Sequence, residues 1–237
     1  MSGTLLFGLG LGGLVGSQAS AGDGAGRCVL AVDASAHCVG FAGALARRWG
    51  LSAARARFEH CSALGALGAA EAHAGPVEWI LVNFPTPFAA PDGGAPPSSN
   101  AQLPSSAASP EFMANVQLLE AARRCLAATG GAGTLLVQSN VEDVAVTLRE
   151  AAESRGWEAV EDGSLGPSVD DAVDPEGAST WLPRRQLRHV RLGGRRAAGP
   201  GWLAASPLAP EAASETERYY LSEGLPIHRV ALRPRAA

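Results

Sequence analysis

Apolar residues along the chain fall into short continuous runs, separated by stretches with helical spacing. Residues 4–9 read as a buried strand ending in the glycine turn, and "CVLAVD" (28–33) as a second. Ser35 then opens a helix. Its apolar side chains Cys38, Phe41, Leu45 and Trp49 recur every three or four residues and are expected to face the core, with Gly50 closing the helix. "ARFEH" (56–60) alternates like a short strand. "VEWILVNF" (77–84) carries the strongest strand pattern and is stopped by Pro85. Residues 85–109, rich in Pro, Ser, Ala and Gly without period, are expected to be a long flexible loop.

Ser109, Pro110 and Glu111 form a helix-start pattern, with the core face expected at Phe112, Val116, Leu119, Ala122 and Leu126. "GTLLVQS" (133–139) is another buried strand, and Asn140 is expected to cap a helix that runs to Arg155. Beyond Trp157 the pattern weakens until "IHRVALR" (227–233), a closing strand. Strand–helix alternation predicts an α/β fold with a doubly wound, mostly parallel, Rossmann-like sheet. The expected organisation is a core over 1–160, an Arg/Gly/Pro-rich insertion over 161–213, and a closing motif and strand of the same domain over 214–237.

The opening "TLLFGLGLGGLVG" (4–16) has two readings, a signal-peptide core or a strand entering a cofactor turn. No basic residue precedes it, although "SQASAG" behind it resembles a small-residue cleavage site, and the alternation downstream favours the strand. In a doubly wound sheet the first strand ends in glycines, so that backbone can approach a ligand. The second ends in an acid that accepts hydrogen bonds from ribose hydroxyls. Gly8, Gly10 and Gly12 fit the first condition and Asp33 the second; Asp33 could equally cap the helix near Ser35, and the two roles are compatible.

Composition changes this picture little. All 19 basic residues are Arg and the formal charge is −4, so RNA binding would need a local basic patch. The run "RRQLRHVRLGGRR" (184–196) offers one in Arg184, Arg185, Arg188, Arg191, Arg195 and Arg196, with a solvated loop or strand face as the other reading. No apolar run is long enough to cross a bilayer, so no membrane partner is expected. The four cysteines (Cys28, Cys38, Cys61, Cys125) lack zinc or disulfide spacing and read as reduced thiols of a reducing compartment, cytoplasmic or organellar. His37, His60, His73 and His228 are scattered as surface or turn residues, and no metal site is expected.

"VNFPTPF" (82–88) resembles the F-P-D-P-W segment of the tRNA guanine-N7 methyltransferases, which use S-adenosylmethionine. Three further stretches resemble that family in order: "EFMANVQLLEAARRCLAATGGAGTLL" (111–136), "QSNVEDVA" (138–145) and "SETERYYLSEGLPIHRV" (214–230). The resemblance implies a cofactor site of Gly8, Gly10, Gly12, Asp33, Ser62 and Asn83, and a guanine site of Thr86, Ser214 and Glu217, with tRNA as partner.

The sequence departs from the family at several of these places. Leu6 stands where the family has an acid, Thr86 replaces the acid between two prolines, and Phe88 replaces Trp. Ala89, Ala90 and Pro91 replace a basic cluster, Asn140 replaces Asp, and Ser214 replaces Thr, while Glu217 is kept. Guanine N7 carries a free lone pair, so methyl transfer needs positioning rather than a base. Losing a carboxylate grip on the base costs on the order of 2–4 kcal/mol in the transition state. Two expectations follow: a diverged enzyme, or a catalytically decayed relative that serves as a binding or assembly module with a protein partner.

Overall fold

The computed structural model describes residues 5–9, 28–73, 75–85, 114–130, 132–169, 196–208 and 213–235, with backbone only for 5–9. Within them lie strands β1 (Leu5–Leu9), β2 (Cys28–Asp33), β3 (Ala56–His60), β4 (Val77–Asn83), β5 (Thr134–Ser139), β6 (Trp157–Ala159), β7 (Ser168–Val169), β8 (Gly199–Leu203) and β9 (His228–Pro234). The helices are α1 (Ala36–Arg48), α2 (Ala63–Ala70), α3 (Val116–Ala128), α4 (Glu142–Glu153) and α5 (Glu215–Ser222). The strand order is β3-β2-β1-β4-β5-β9-β8-β7, with β6 also on β9. The strands β3 to β5 along this order are mutually parallel, and β9 is antiparallel to β5. This is the α/β, doubly wound, mostly parallel sheet that the alternation predicted.

Parallel strands are buried on both faces, which is why they read as continuous apolar runs. Ile80, Val82, Leu135, Val137, Val230 and Leu232 join a core that includes α2, α3 and α4. Leu81, Leu136 and Ala231 alternate with them and enter a second core with Val29, Ala31 and Ala56. Gly133 precedes β5 where the chain runs close to β4; a Cβ there would lie 2.5 Å from Leu126 Cδ2 and closer still to the Val77 carbonyl oxygen.

Several helical expectations need correction. Ser35 does cap α1, its hydroxyl accepting from Cys38 N at 3.3 Å. Most of the expected core face is nonetheless outside: Cys38, Phe41 and Trp49 are exposed and Leu45 is half-buried, while Ala42 and Ala46 are buried. Small side chains let the helix sit close on β2 and β3, so the packed face lies roughly a quarter turn from the bulky one. For α3, Leu119, Ala122 and Leu126 are buried as expected, but the N-cap is Asn115, accepting from Leu118 N at 3.2 Å. Ser109 and Phe112, and all of the expected 85–109 loop except Pro85, lie outside the described residues. Asn140 does not cap α4, whose N-cap is Val141 without a side-chain bond. Ser139 Oγ accepts from Val141 N instead, and Asn140 reaches Tyr220.

Candidate functional site

In this sheet the order of parallel strands reverses between β1 and β4, and ligands bind beyond the carboxyl ends at such a point. The edge there is formed by Leu9, Asp33, His60, Asn83 and Ser139, with the start of antiparallel β9 beside β5. Most strand residues are apolar, yet one buried rung that crosses three strands is polar. Asn83 pairs in register with Gln138, and Gln138 with Arg229. All three side chains are buried.

Buried polar groups require partners, and here they form a chain. Arg229 Nη2 donates to Glu217 Oε1 at 2.9 Å, Arg229 Nε to Gln138 Oε1 at 2.7 Å, and Gln138 Nε2 to Asn83 Oδ1 at 2.9 Å. Glu217 lies in the first turn of α5, where Ser214 is the N-cap and its hydroxyl accepts from Glu217 N at 3.1 Å. The Arg229–Glu217 ion pair therefore ties α5 to the sheet edge. Among the described residues Asn83 Nδ2 is buried without a hydrogen-bond partner.

Immediately after Asn83 the backbone leaves its ordinary range. Phe84 has φ of 51°, a left-handed conformation that a bulky side chain adopts only when its surroundings impose it. Its N–H donates to Gln138 O at 2.7 Å, and its ring stacks on Tyr220 with centroids 6.0 Å apart. Tyr220 accepts from Asn140 Nδ2 at 2.6 Å; burial pushes its phenol pKa up, opposed by that bond. Strain, aromatic stacking and a buried polar chain meet where "NFP" leaves β4.

Asp33 ends β2, half-buried, and its Oδ1 accepts from Ser35 N at 2.7 Å. The N-cap of α1 is thus Ser35 and not Asp33, whose bond to Ser35 N uses one oxygen and leaves lone pairs on the other for a ligand. Ser62 is the N-cap of α2, its hydroxyl accepting from Gly65 N at 3.1 Å. Gly8 lies in β1 opposite Ala31 and Leu81. Gly10, Gly12, Thr86, Phe88, Arg184, Arg185, Arg188, Arg191 and Arg195 lie outside the described residues. Arg196 is described, and its Nε donates at 3.1 Å to buried Glu142, which also accepts from Ala197 N. His228 is no surface or turn residue but the half-buried first residue of β9. Burial holds its pKa down; the nearby Glu142 opposes this, and Arg196 and Arg229 reinforce it. Among the described residues no group of three or more metal-ligating side chains occurs, and no helix is long and apolar enough to cross a membrane.

Gln138, Phe84, Tyr220 and Arg229 were missed as site residues. Two carried a signal: Gln138 interrupts "TLLVQS" and Arg229 interrupts "IHRVAL", and a polar residue inside a buried strand needs a partner.

Topology and edge together define a Rossmann-like α/β protein. No family model matches the chain, and no curated protein does. Among solved structures it is similar to an S-adenosylmethionine-dependent methyltransferase from Agrobacterium tumefaciens, at 20% identity and a TM-score of 0.41, covering 63% of this chain and 43% of that one. It is also similar to an rRNA methylase from Streptococcus thermophilus, at 9% identity and a TM-score of 0.46, covering 99% and 89%. A precorrin-6y methyltransferase from Geobacter metallireducens gives 12% identity, a TM-score of 0.44, and coverage of 68% and 65%. The chain thus spans less than two thirds of the Agrobacterium and Geobacter proteins. These likenesses are ones of fold.

Proposed function

We propose that the chain is an S-adenosylmethionine-dependent methyltransferase acting on guanine N7 in tRNA, a diverged relative of the family its motifs resemble. The observation that supports this most is the chain Asn83–Gln138–Arg229–Glu217 beside the strand-order switch, next to strained Phe84. It puts polar groups in fixed positions where the "NFPTP" segment begins, the segment that carries the resemblance.

In this reading Asp33 accepts from ribose hydroxyls, and Gly8, Gly10 and Gly12 allow close backbone approach. Ser62 completes the cofactor side; Asn83, which the resemblance also sets there, stands at the end of β4 between cofactor and base, and Thr86 and the α5 start, Ser214 and Glu217, orient the base. Glu217 does so by holding Arg229 rather than by reaching the base, since its carboxylate is committed to that guanidinium. The cofactor supplies the methyl from its sulfonium. Because N7 needs no deprotonation, the residues contribute alignment. Arg184, Arg185, Arg188, Arg191, Arg195 and Arg196, in the 161–213 insertion, would meet tRNA phosphates.

A second reading, a decayed relative acting as a binding or assembly module with a protein partner, is favoured by one observation. Ser62 and Ser214 both cap helices, and Glu217 is paired within the fold. Mass spectrometry of tRNA incubated with protein and S-adenosylmethionine separates the two. 7-Methylguanosine is expected from the enzyme, and its absence would leave the module. A Thr86→Asp variant that gains activity would place the deficit at the base grip; no change would place it in RNA binding.

A further inference from the structure

The orientation of the Asn83 amide is set, through Gln138, by two residues that do not touch it. An amide's oxygen and nitrogen ends are ordinarily assigned from their neighbours. Here the assignment has a chemical anchor, because a guanidinium N–H can only donate. The Gln138 atom 2.7 Å from Arg229 Nε is therefore its oxygen. The other end of that amide is a donor, so the Asn83 atom facing it at 2.9 Å must be the oxygen. Glu217, at 2.9 Å from Arg229 and almost wholly buried with it, keeps the guanidinium in place. The Asn83 NH2 group is thereby left facing away from Gln138, buried, and without an acceptor among the described residues. Such a donor is uncommon in a folded chain, and one at the strand-order switch is open to a ligand.

We propose that Glu217 and Arg229, acting through Gln138, fix Asn83 as a hydrogen-bond donor that selects a 6-oxopurine over a 6-aminopurine as the base that docks there. On the edge that carries N7, guanine presents a carbonyl acceptor beside N7, whereas adenine presents an amino donor there. A donor at this point accepts the first and opposes the second. Asn83 is then a specificity residue, and Gln138 and Arg229 are positioning residues. The inference rests on the reading that a purine docks at the carboxyl end of β4.

The test is an NMR titration of 15N-labelled full chain with guanosine monophosphate, adenosine monophosphate and 2-aminopurine riboside monophosphate, the last lacking the carbonyl oxygen. The Asn83 side-chain signals are identified by their loss in Asn83→Asp. The guanine nucleotide should bind about tenfold to a hundredfold tighter than the other two, and it alone should move the Asn83 amide protons downfield. In Gln138→Glu the atom facing Asn83 becomes an oxygen, so the Asn83 amide turns over and presents its own oxygen. Preference should then move toward the adenine nucleotide by about tenfold, whereas a merely structural Gln138 would weaken all three alike.

Equal binding of the three nucleotides by the wild type, or an Asn83 amide that none of them moves, overturns the inference. If Gln138→Glu does not fold, the wild-type comparison decides alone. S-Adenosylmethionine added to the same sample separates the two proposals. Cofactor binding without guanine preference sinks this inference and leaves the methyltransferase reading, while guanine preference without cofactor binding does the reverse.

Discussion

Truncating Glu217 gives the sharpest perturbation of the site's support. The Glu217 and Arg229 side chains are 2% and 4% exposed, with the charged atoms 2.9 Å apart. At an effective dielectric constant of about 20, this separation corresponds to about 6 kcal/mol of attraction. Most of that is offset by the desolvation of both ions, so the pair adds little net stability. Glu217→Ala removes the attraction and leaves the buried guanidinium to bear its desolvation cost with, among the described residues, Gln138 as its remaining side-chain acceptor. The expected loss is about 3–5 kcal/mol, a large part of the roughly 5–15 kcal/mol that holds a domain folded. Glu217→Gln keeps an acceptor oxygen for Nη2 and should lose clearly less. The double variant Glu217→Leu/Arg229→Met removes both charges and should regain most of the loss. Urea unfolding followed by circular dichroism, with the m-value as a check on two-state behaviour, reads all four proteins. A Glu217→Ala variant within about 1 kcal/mol of wild type, or a double variant no more stable than the weaker single one, would refute the reasoning.

Gly133→Ala should destabilise by about 2 kcal/mol or more, because the new Cβ overlaps the Val77 carbonyl and Leu126; an unchanged midpoint in the same assay would mean that β5 can move away from β4. His228 has its folded pKa held below the ordinary 6.5, so the unfolded chain takes up the proton first. Its contribution to stability is intact above pH 6.5 and is lost as pH falls from there toward the folded value, by at most about 1.4 kcal/mol per pH unit. Urea midpoints measured from about one pH unit above to about one and a half below the ordinary histidine value, in wild type and His228→Asn, should show this slope only in the wild type. Ser214→Ala should cost about 1 kcal/mol through the lost α5 cap; unchanged stability with impaired base binding would instead make the hydroxyl a ligand contact.

The strands were legible because a parallel strand buried on both faces leaves an unbroken apolar run, as in "WILV" within β4 and "TLLV" within β5. Helix α1 was misread in orientation, since spacing shows which residues share a face but not whether bulk or close approach decides the packing. Ala42 and Ala46 go inward and Phe41 and Trp49 outward. Helix α2 went unread: "ALGALGAA" has small residues on every side and so gives no periodic stripe. Asp33 was placed by its strand end, and Asn83 by the resemblance of "VNFPTPF". The chain behind Asn83 was not legible, because Gln138 and Arg229 lie 91 positions apart and are brought together only by antiparallel β9. Asn140 has a capping residue's chemistry, but a tyrosine 80 positions away took its amide.

The central claim, that the carboxyl edge of this sheet holds S-adenosylmethionine with Asp33 on its ribose, is tested most directly by calorimetric titration of the wild type and of Asp33→Ala. One cofactor per chain is expected in the wild type, with affinity weakened about tenfold or more in the variant, as for a lost hydrogen bond to a charged group. No heat from the wild type at millimolar cofactor, or equal affinity in the two proteins, would contradict it.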